Sequence, residues 1–478
     1  MSLSAIKNKS FIYLFSKVFA ATINLFSIYL FTRLFKPNVY GDYLLFSSYV
    51  IFICSIVFWW HRLSVFRYYH KYKKNYNTYI KTSYLSFYGL SILLLFLFII
   101  FIIFLSFYQS SFIEKKYYFL VIIIASIFRS NFDLNQNLLN INKDDYFYGT
   151  NVIIRPLLFF GICLSIHFFH SENNYVLIIG FIVSFFISSI YPNYYLQRNI
   201  KGGVFDRNIY KKFILYGLPL TGLFVFDYIL AFSDRLLIGY FFGSEMVGVY
   251  GANYDLVKQI VLFLMIIQGL IIYPEINKSF EDGRLDEVNK LMSVNLNLFI
   301  SLFLPLAIFI AMFSDFISSV FIGERFTQSS GLLIPLLSIV FFILGIKIYH
   351  FDYIFHLKEK TKISMKILLI GSLINIFLNL LLVPNYKLIG AVLSTMIAYI
   401  FCLFLSIIFG KKYMLIKLDY NVFFRTIIFL FFSISICFLF SYFNIQIIFQ
   451  IIVYILTYSF LTFYYNFDTI KWFLNRFN

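Results

Sequence analysis

The chain has 478 residues, 61% hydrophobic and 13% charged, with a net charge of +17 at pH 7. A water-soluble domain is about half apolar and about a quarter charged, so this composition excludes a soluble fold. A mean hydropathy of +0.83 agrees, and the positive charge then belongs to loops on the cytoplasmic side of a membrane rather than to a nucleic-acid surface.

A short basic N-terminus precedes an apolar run from Phe11 to Phe31. The run is too long for a signal-peptide core and has no small-residue cleavage site, so it reads as a retained first helix. A membrane span needs about 20 mostly apolar residues. On that rule spans are predicted at 10–32, 42–60, 84–107, 117–139, 147–168, 174–196, 212–233, 247–273, 292–313, 330–355, 364–383, 388–410, 421–442 and 445–466. The last two share one nearly unbroken run from Val422 to Asn466, with Asn444 and Gln446 chosen as its turn. The fold class is all-α: a polytopic protein of about fourteen transmembrane helices.

The loops carry the topology. Basic clusters at Arg62, Arg67, Lys71, Lys73, Lys74 and Lys81, at Arg198, Lys201, Arg207, Lys211 and Lys212, at Lys358, Lys360, Lys362 and Lys366, and at Lys411, Lys412 and Lys417 fall on one side of the map. That side is cytoplasmic, and an even number of spans puts both termini there, in a bacterial inner membrane. No loop can hold a folded catalytic domain. This counts against a membrane polysaccharide polymerase and favours a transporter, not an enzyme.

Motifs for other chemistries are missing. Cys54, Cys163, Cys402 and Cys437 lie in separate apolar runs and make neither a disulfide framework nor a metal site. His61, His70, His350 and His356 show no metal-ligand spacing. No Gly-rich phosphate loop is present, so no ATP hydrolysis and no cofactor is expected.

Charges inside spans are costly, at least about 2.5–3.5 kcal/mol each, and point to function. The map leaves five basic residues there: Lys17, Arg155, Lys258, Lys347 and Arg425. Lys17, Arg155, Lys258 and Lys347 are candidates to line a cationic cavity for an anionic substrate, against interfacial snorkelling for Lys17 and carbonyl capping at Pro156 for Arg155. Arg425 reads as an interfacial anchor. Asp227, Asp255 and Asp352 are candidates for gating or for coupling to H+ or Na+. Asp255 and Lys258 share a helix face and are either a self-neutralising pair or a gate. Lys347 and Asp352, five residues apart, stand about 140° apart on an α-helix and are expected to point at different neighbours. Asp234 and Arg235 are expected to end the seventh helix and tie neighbours together there, with substrate contact as the alternative. Gly217 and Pro219 mark the expected kink.

Val39-Tyr40-Gly41, Val247-Gly248-Val249-Tyr250 and Ile389-Gly390-Ala391 each open an even-numbered span after a short turn. The first two lie six helices apart. This suggests a six-helix lobe over 1–200, a second over 205–410, and two further helices with a tail over 420–478, with chance recurrence of Gly at turns as the alternative.

These residues carry a family resemblance. Tyr216-Gly217-Leu218-Pro219-Leu220, Ser233-Asp234-Arg235-Leu236-Leu237-Ile238-Gly239-Tyr240 and Val247-Gly248-Val249-Tyr250 resemble the seventh and eighth helices of Wzx-type polysaccharide flippases. Leu380-Leu381-Leu382-Val383-Pro384-Asn385-Tyr386 with Leu388-Ile389-Gly390-Ala391-Val392, and Thr32-Arg33-Leu34-Phe35-Lys36-Pro37 with Tyr40-Gly41-Asp42-Tyr43, are similar to other segments of that family. The family sits in the multidrug/oligosaccharidyl-lipid/polysaccharide exporter superfamily. The resemblance implies two six-helix lobes around a central cavity and alternating access. It implies, as substrate, an undecaprenyl-pyrophosphate-linked oligosaccharide of O-antigen or capsule type moved across a lipid membrane. A polysaccharide polymerase and a chain-length regulator are implied as partners. A lipid II flippase and a multidrug or metabolite cation antiporter are the rival readings within the superfamily.

Overall fold

The computed structural model describes residues 3–108, 112–142, 144–169, 174–198, 200, 202–414 and 419–465. Lys201 and Lys417 of the basic clusters, and the tail beyond residue 465, lie outside the described residues. Every regular element described is helical. In chain order these are α1 (Leu3–Leu34), α2 (Pro37–Val57), α3 (Trp59–Tyr68), α4 (Tyr76–Tyr108), α5 (Phe112–Ile141), α6 (Asp145–Phe169), α7 (Val176–Gln197) and α8 (Arg207–Gly217). There follow α9 (Thr221–Glu281), α10 (Leu285–Leu298), α11 (Leu304–Met312), α12 (Ser314–Phe321), α13 (Ser330–Ile346), α14 (Asp352–Leu357), α15 (Thr361–Gly410), α16 (Tyr420–Tyr442) and α17 (Ile447–Tyr465).

Among the described residues eleven stretches are long and apolar enough to cross a membrane, and α17 contributes a shorter apolar helix. Two of the eleven are double. Helix α9 breaks at Gly243, whose φ of 80° only glycine adopts freely, and α15 breaks at Lys387, with φ 51°. The chain reverses at both points. A Cβ on Gly239 would lie 3.4 Å from a Val247 methyl, and one on Gly390 only 2.3 Å from the Leu382 carbonyl. Eight residues of straight helix would separate such pairs by about 12 Å. The fourteen predicted spans therefore all correspond to helix. Asn444, at φ 52°, closes the turn between α16 and α17, a conformation that Asn tolerates better than most residues.

The sequence reading missed some helix. The basic segment after residue 60, predicted as loop, begins as α3 and continues as a 3-10 stretch, Tyr69–Asn75. Trp60, Val65 and Tyr69 of this segment are buried and join Tyr79 of α4 and Phe213 of α8 in one core. His61, placed by sequence in a loop, is 1% exposed and bonds Ser86 Oγ through Nε2 at 2.7 Å. Arg62 and Arg67 in α3, and the lysines of the 3-10 stretch, hid this helical segment.

Two compact units are present, Met1–Gly248 and Val249–Asn478. In the first, α6 packs on α1 and α7, α5 on α2 and α7, and α3 on α8. The start of α2 meets the second half of α9 backbone to backbone. A Cβ on Gly41 would fall 1.7 Å from Ser244 O, and one on Gly248 would fall 2.0 Å from Pro37 O. The repeated glycines of the sequence are thus a contact without side chains. Gly217 plays a related part, since its Cβ would strike Ser64 Oγ and the Trp60 carbonyl. Helix α8 stops there, and Leu218–Leu220 form a single 3-10 turn before α9.

In the second unit α13 packs on α11, α12 and α15, and α16 on α17. Two helices widen locally into π-turns, Phe299–Phe303 and Lys347–Phe351. Pro305 lacks the N–H that would bond the Ser301 carbonyl. Tyr458 Oη of α17 donates to that carbonyl at 2.7 Å, and Tyr454 Oη donates to Pro305 O at 3.0 Å. Hydroxyls elsewhere find partners in their own helix, as where Ser27 and Ser126 donate to Ile23 O and Ile122 O. No water is available in the bilayer core to do this for them. The outward faces carry the apolar load: Ile92, Phe96 and Ile100 of α4 and Phe431 and Phe438 of α16 are all exposed.

Candidate functional site

The first unit gathers its intramembrane charge where α5, α6 and α7 meet. Helix α6 carries Arg155 and α5 carries Arg129, and both reach Phe185 of α7. The Arg155 guanidinium carbon lies 4.5 Å from the Phe185 ring centre and 5.7 Å from that of Phe159. The Arg129 guanidinium carbon lies 5.4 Å from the same Phe185 ring. The Nε of each arginine is buried and has no hydrogen-bond partner. One turn along α5, Asp133 meets Arg62 Nη1 of α3 at 3.4 Å, and Arg62 O accepts from Asn137 Nδ2 at 2.7 Å. Arg62, Arg129 and Arg155 thus gather near Asp133, which pairs with Arg62. A ring face attracts each cation by about 0.5–2 kcal/mol, which holds the arginines without neutralising them. Excess planar donors in a low-dielectric bundle suit a phosphate-bearing group.

The five in-span basic residues read from sequence omit Arg129, as well as Lys212 and Lys366 at the ends of their spans. Arg129 lies within the predicted span 117–139, so the signal was present. Asp133 sits inside α5, facing Arg62.

The other first-unit candidates are dispersed. Lys17 lies half-buried in α1 and Asp227 exposed in α9. Asp234 and Arg235 do not end a helix, contrary to the sequence reading: α9 runs on to the break at Gly243. They are 1% and 2% exposed, and Asp234 Oδ1 accepts from the Arg235 N–H at 2.7 Å. The Arg235 guanidinium carbon lies 5.2 Å from the Phe232 ring.

In the second unit, Lys258 Nζ lies 5.7 Å from the Tyr254 ring centre, with Asp255 half-buried beside it. Lys347 departs from expectation. Its Nζ donates to Asp352 Oδ2 at 2.5 Å, and Ser406 Oγ donates to the other carboxylate oxygen at 2.7 Å. The 140° separation expected of an α-helix fails because Lys347–Phe351 is a π-turn, which brings i and i+5 into line. Close by, Gln268 Nε2 donates to Asn295 Oδ1 at 2.6 Å, and Asn295 Nδ2 donates to Tyr349 O at 3.0 Å. Within α15, Asn379 Nδ2 donates to Asn375 Oδ1 and Asn375 Nδ2 to Thr395 Oγ1. Sequence reasoning passed over these amides, whose signal was simply Asn and Gln inside apolar runs. Among the described residues no three His, Cys, Asp or Glu side chains gather to hold a metal ion.

Comparison with known proteins gives the arrangement its context. The family model described as lipid II flippase MurJ matches residues 158–458. An uncharacterized membrane protein of Methanocaldococcus jannaschii is 24% identical over 62% of this chain and 58% of its own. A provisionally named O-antigen transporter of Shigella flexneri is 25% identical over 48% of this chain and 54% of its own. The chain thus spans little more than half the length of these relatives. Among solved structures, an inward closed lipid II flippase MurJ superposes with a TM-score of 0.68 at 17% identity, covering 97% of this chain and 99% of that one. An outward-facing multidrug resistance transporter of the MATE family and MOP superfamily superposes with a TM-score of 0.61 at 12% identity, covering 85% and 95%. These likenesses show a shared fold. With most of its length matched by the family model, this multi-pass inner-membrane chain belongs to the MurJ lipid II flippase family of transporters.

Proposed function

We propose that the chain flips a polyprenyl-diphosphate-linked saccharide across the cytoplasmic membrane, and that its cargo is an O-antigen-type or capsule-type oligosaccharide unit. The carrying observation is the pair Arg129 and Arg155 around Phe185, with guanidinium donors left over. A diphosphate crossing a low-dielectric bundle needs such donors. Lys17 and Lys258 are proposed as further cationic contacts along the path. Asp227 and Asp255 are proposed for coupling to H+ or Na+. The Shigella flexneri relative supports the O-antigen choice. The family match supports a second reading, in which the cargo is lipid II.

Complementation separates the two. The chain is expressed in one bacterium lacking its O-antigen flippase and in another depleted of its lipid II flippase, with membrane abundance checked in both. Restored surface polymer in the first, lost on Arg155→Gln, is the expected result. Rescue of growth in the second alone would overturn the oligosaccharide reading and establish lipid II.

A further inference from the structure

A second feature of the first unit lies one helical turn from the arginines and has a different chemistry. Helices α5, α6 and α7 enclose a pocket of about 310 Å³, walled by Leu139, Tyr146, Asn151, Ile154, Ser188 and Tyr191 among others. That is near the small end of ligand pockets, about 300–1,000 Å³. Its rim lies near the first residues of α6 and the last of α7, at the level of one membrane surface. Tyr146 and Tyr191 are 67% and 55% exposed there, as expected of rings at an interface.

One polar side chain in the wall of this apolar space lacks the partner its chemistry requires. Asn151 is 5% exposed, and its Nδ2 has no hydrogen-bond partner. An unmet buried amide donor costs about 1–3 kcal/mol. Opposite, Pro192 has no N–H to offer the Ser188 carbonyl one turn back. No charged residue is among those that line the pocket. The donor therefore awaits a neutral oxygen rather than a phosphate. Beyond Ile154 a second apolar depression continues along α6 past Leu157, Leu158 and Gly161. A Cβ on Gly161 would meet nothing within 4 Å, so this side of the helix is open.

We propose that this pocket binds the glycerol-ester region of a membrane glycerolipid, with an ester carbonyl on Asn151 Nδ2 and one acyl chain along α6. The interfacial level, the uncharged lining and the apolar continuation all match that part of a glycerolipid. A polyprenyl phosphate matches less well, because its anionic group follows the chain directly and the pocket offers no cation. The site is separate from the arginine cluster and stands whether or not the cargo proposed above is right.

The test is native mass spectrometry of the purified, delipidated full chain, titrated with phosphatidylglycerol and separately with undecaprenyl phosphate. Asn151→Leu keeps the side-chain volume and removes the donor. It is expected to weaken phosphatidylglycerol binding about fivefold, and Ile154→Trp, which fills the pocket, is expected to abolish the tightest-bound lipid. Should Ile154→Trp fail to fold, Gly161→Phe carries the occlusion arm from the open face of α6. Wild-type affinity for phosphatidylglycerol in Asn151→Leu and in the occluding variant would overturn the proposal. So would variants that weaken undecaprenyl phosphate while leaving phosphatidylglycerol unchanged.

Discussion

The two units handle buried charge in opposite ways. In the second, Lys347 is 2% exposed and matched: its ammonium meets Asp352, whose other oxygen is held by Ser406. In the first, Arg129 and Arg155 crowd one phenyl ring, their Nε atoms are unmet, and Asp133 pairs with Arg62. A satisfied pair fixes a structure. An unsatisfied cluster costs stability and persists where a ligand supplies the missing charge. On this contrast the site proposed for the cargo's anion is in the first unit, and Lys347, a sequence candidate for the same task, is occupied by its own helix.

The largest effect on stability is expected at the matched pair. Lys347→Met or Asp352→Leu alone leaves a buried charge, and each should destabilise the protein by about 3–5 kcal/mol. The double variant should recover most of that loss. Thermal melting in detergent gives the comparison, and a double variant no better than the singles would mean the pair acts through other partners. Next is the glycine contact. Gly41→Val places methyls where Ser244 O lies, which should lower folded yield sharply, whereas Gly89→Val, beside open space, should not. Quantifying folded protein by size exclusion after membrane extraction checks this.

Smaller effects sharpen the picture. Tyr458→Phe leaves the Ser301 carbonyl at the π-turn unmet and should cost about 1–3 kcal/mol, read as a lower melting temperature. Full stability in that variant would show that the helix recloses without the hydroxyl. Least of all is the surface triad. Arg284 donates to Asp282 Oδ2 at 2.8 Å and also to Glu287, and these carboxylates hold its guanidinium above its ordinary range. All three are solvent-exposed, so Arg284→Ala should leave the melting temperature unchanged within error.

Much of the fold was legible because the bilayer imposes one length on every span. The fourteen apolar runs fall on helix, and even the turn at Asn444 followed from two polar residues in a long greasy stretch. What sequence hid were departures from the α-helical period and contacts between distant segments. The Lys347–Asp352 pair depends on an inserted π-turn, which no local residue type announces. Helix α3 was masked by Arg62 and Arg67 and by the lysines of the 3-10 stretch after it, and the burial of Asp234 and Arg235 by the continuation of α9 to Gly243. Arg129 was visible in its span, yet its role rests on the meeting of three helices at Phe185, which sequence order does not reveal.

The most direct measurement pairs transport with stability. Arg129→Gln/Arg155→Gln and Lys347→Met/Asp352→Leu are compared for surface polymer in a flippase-deficient bacterium and for melting temperature in detergent. The account predicts that the arginine variant folds with a melting temperature at or above wild type but yields no polymer, while the lysine–aspartate variant still supports it. Polymer from the arginine variant, or its loss in a well-folded lysine–aspartate variant, would contradict the assignment of the cargo's anion to the first unit.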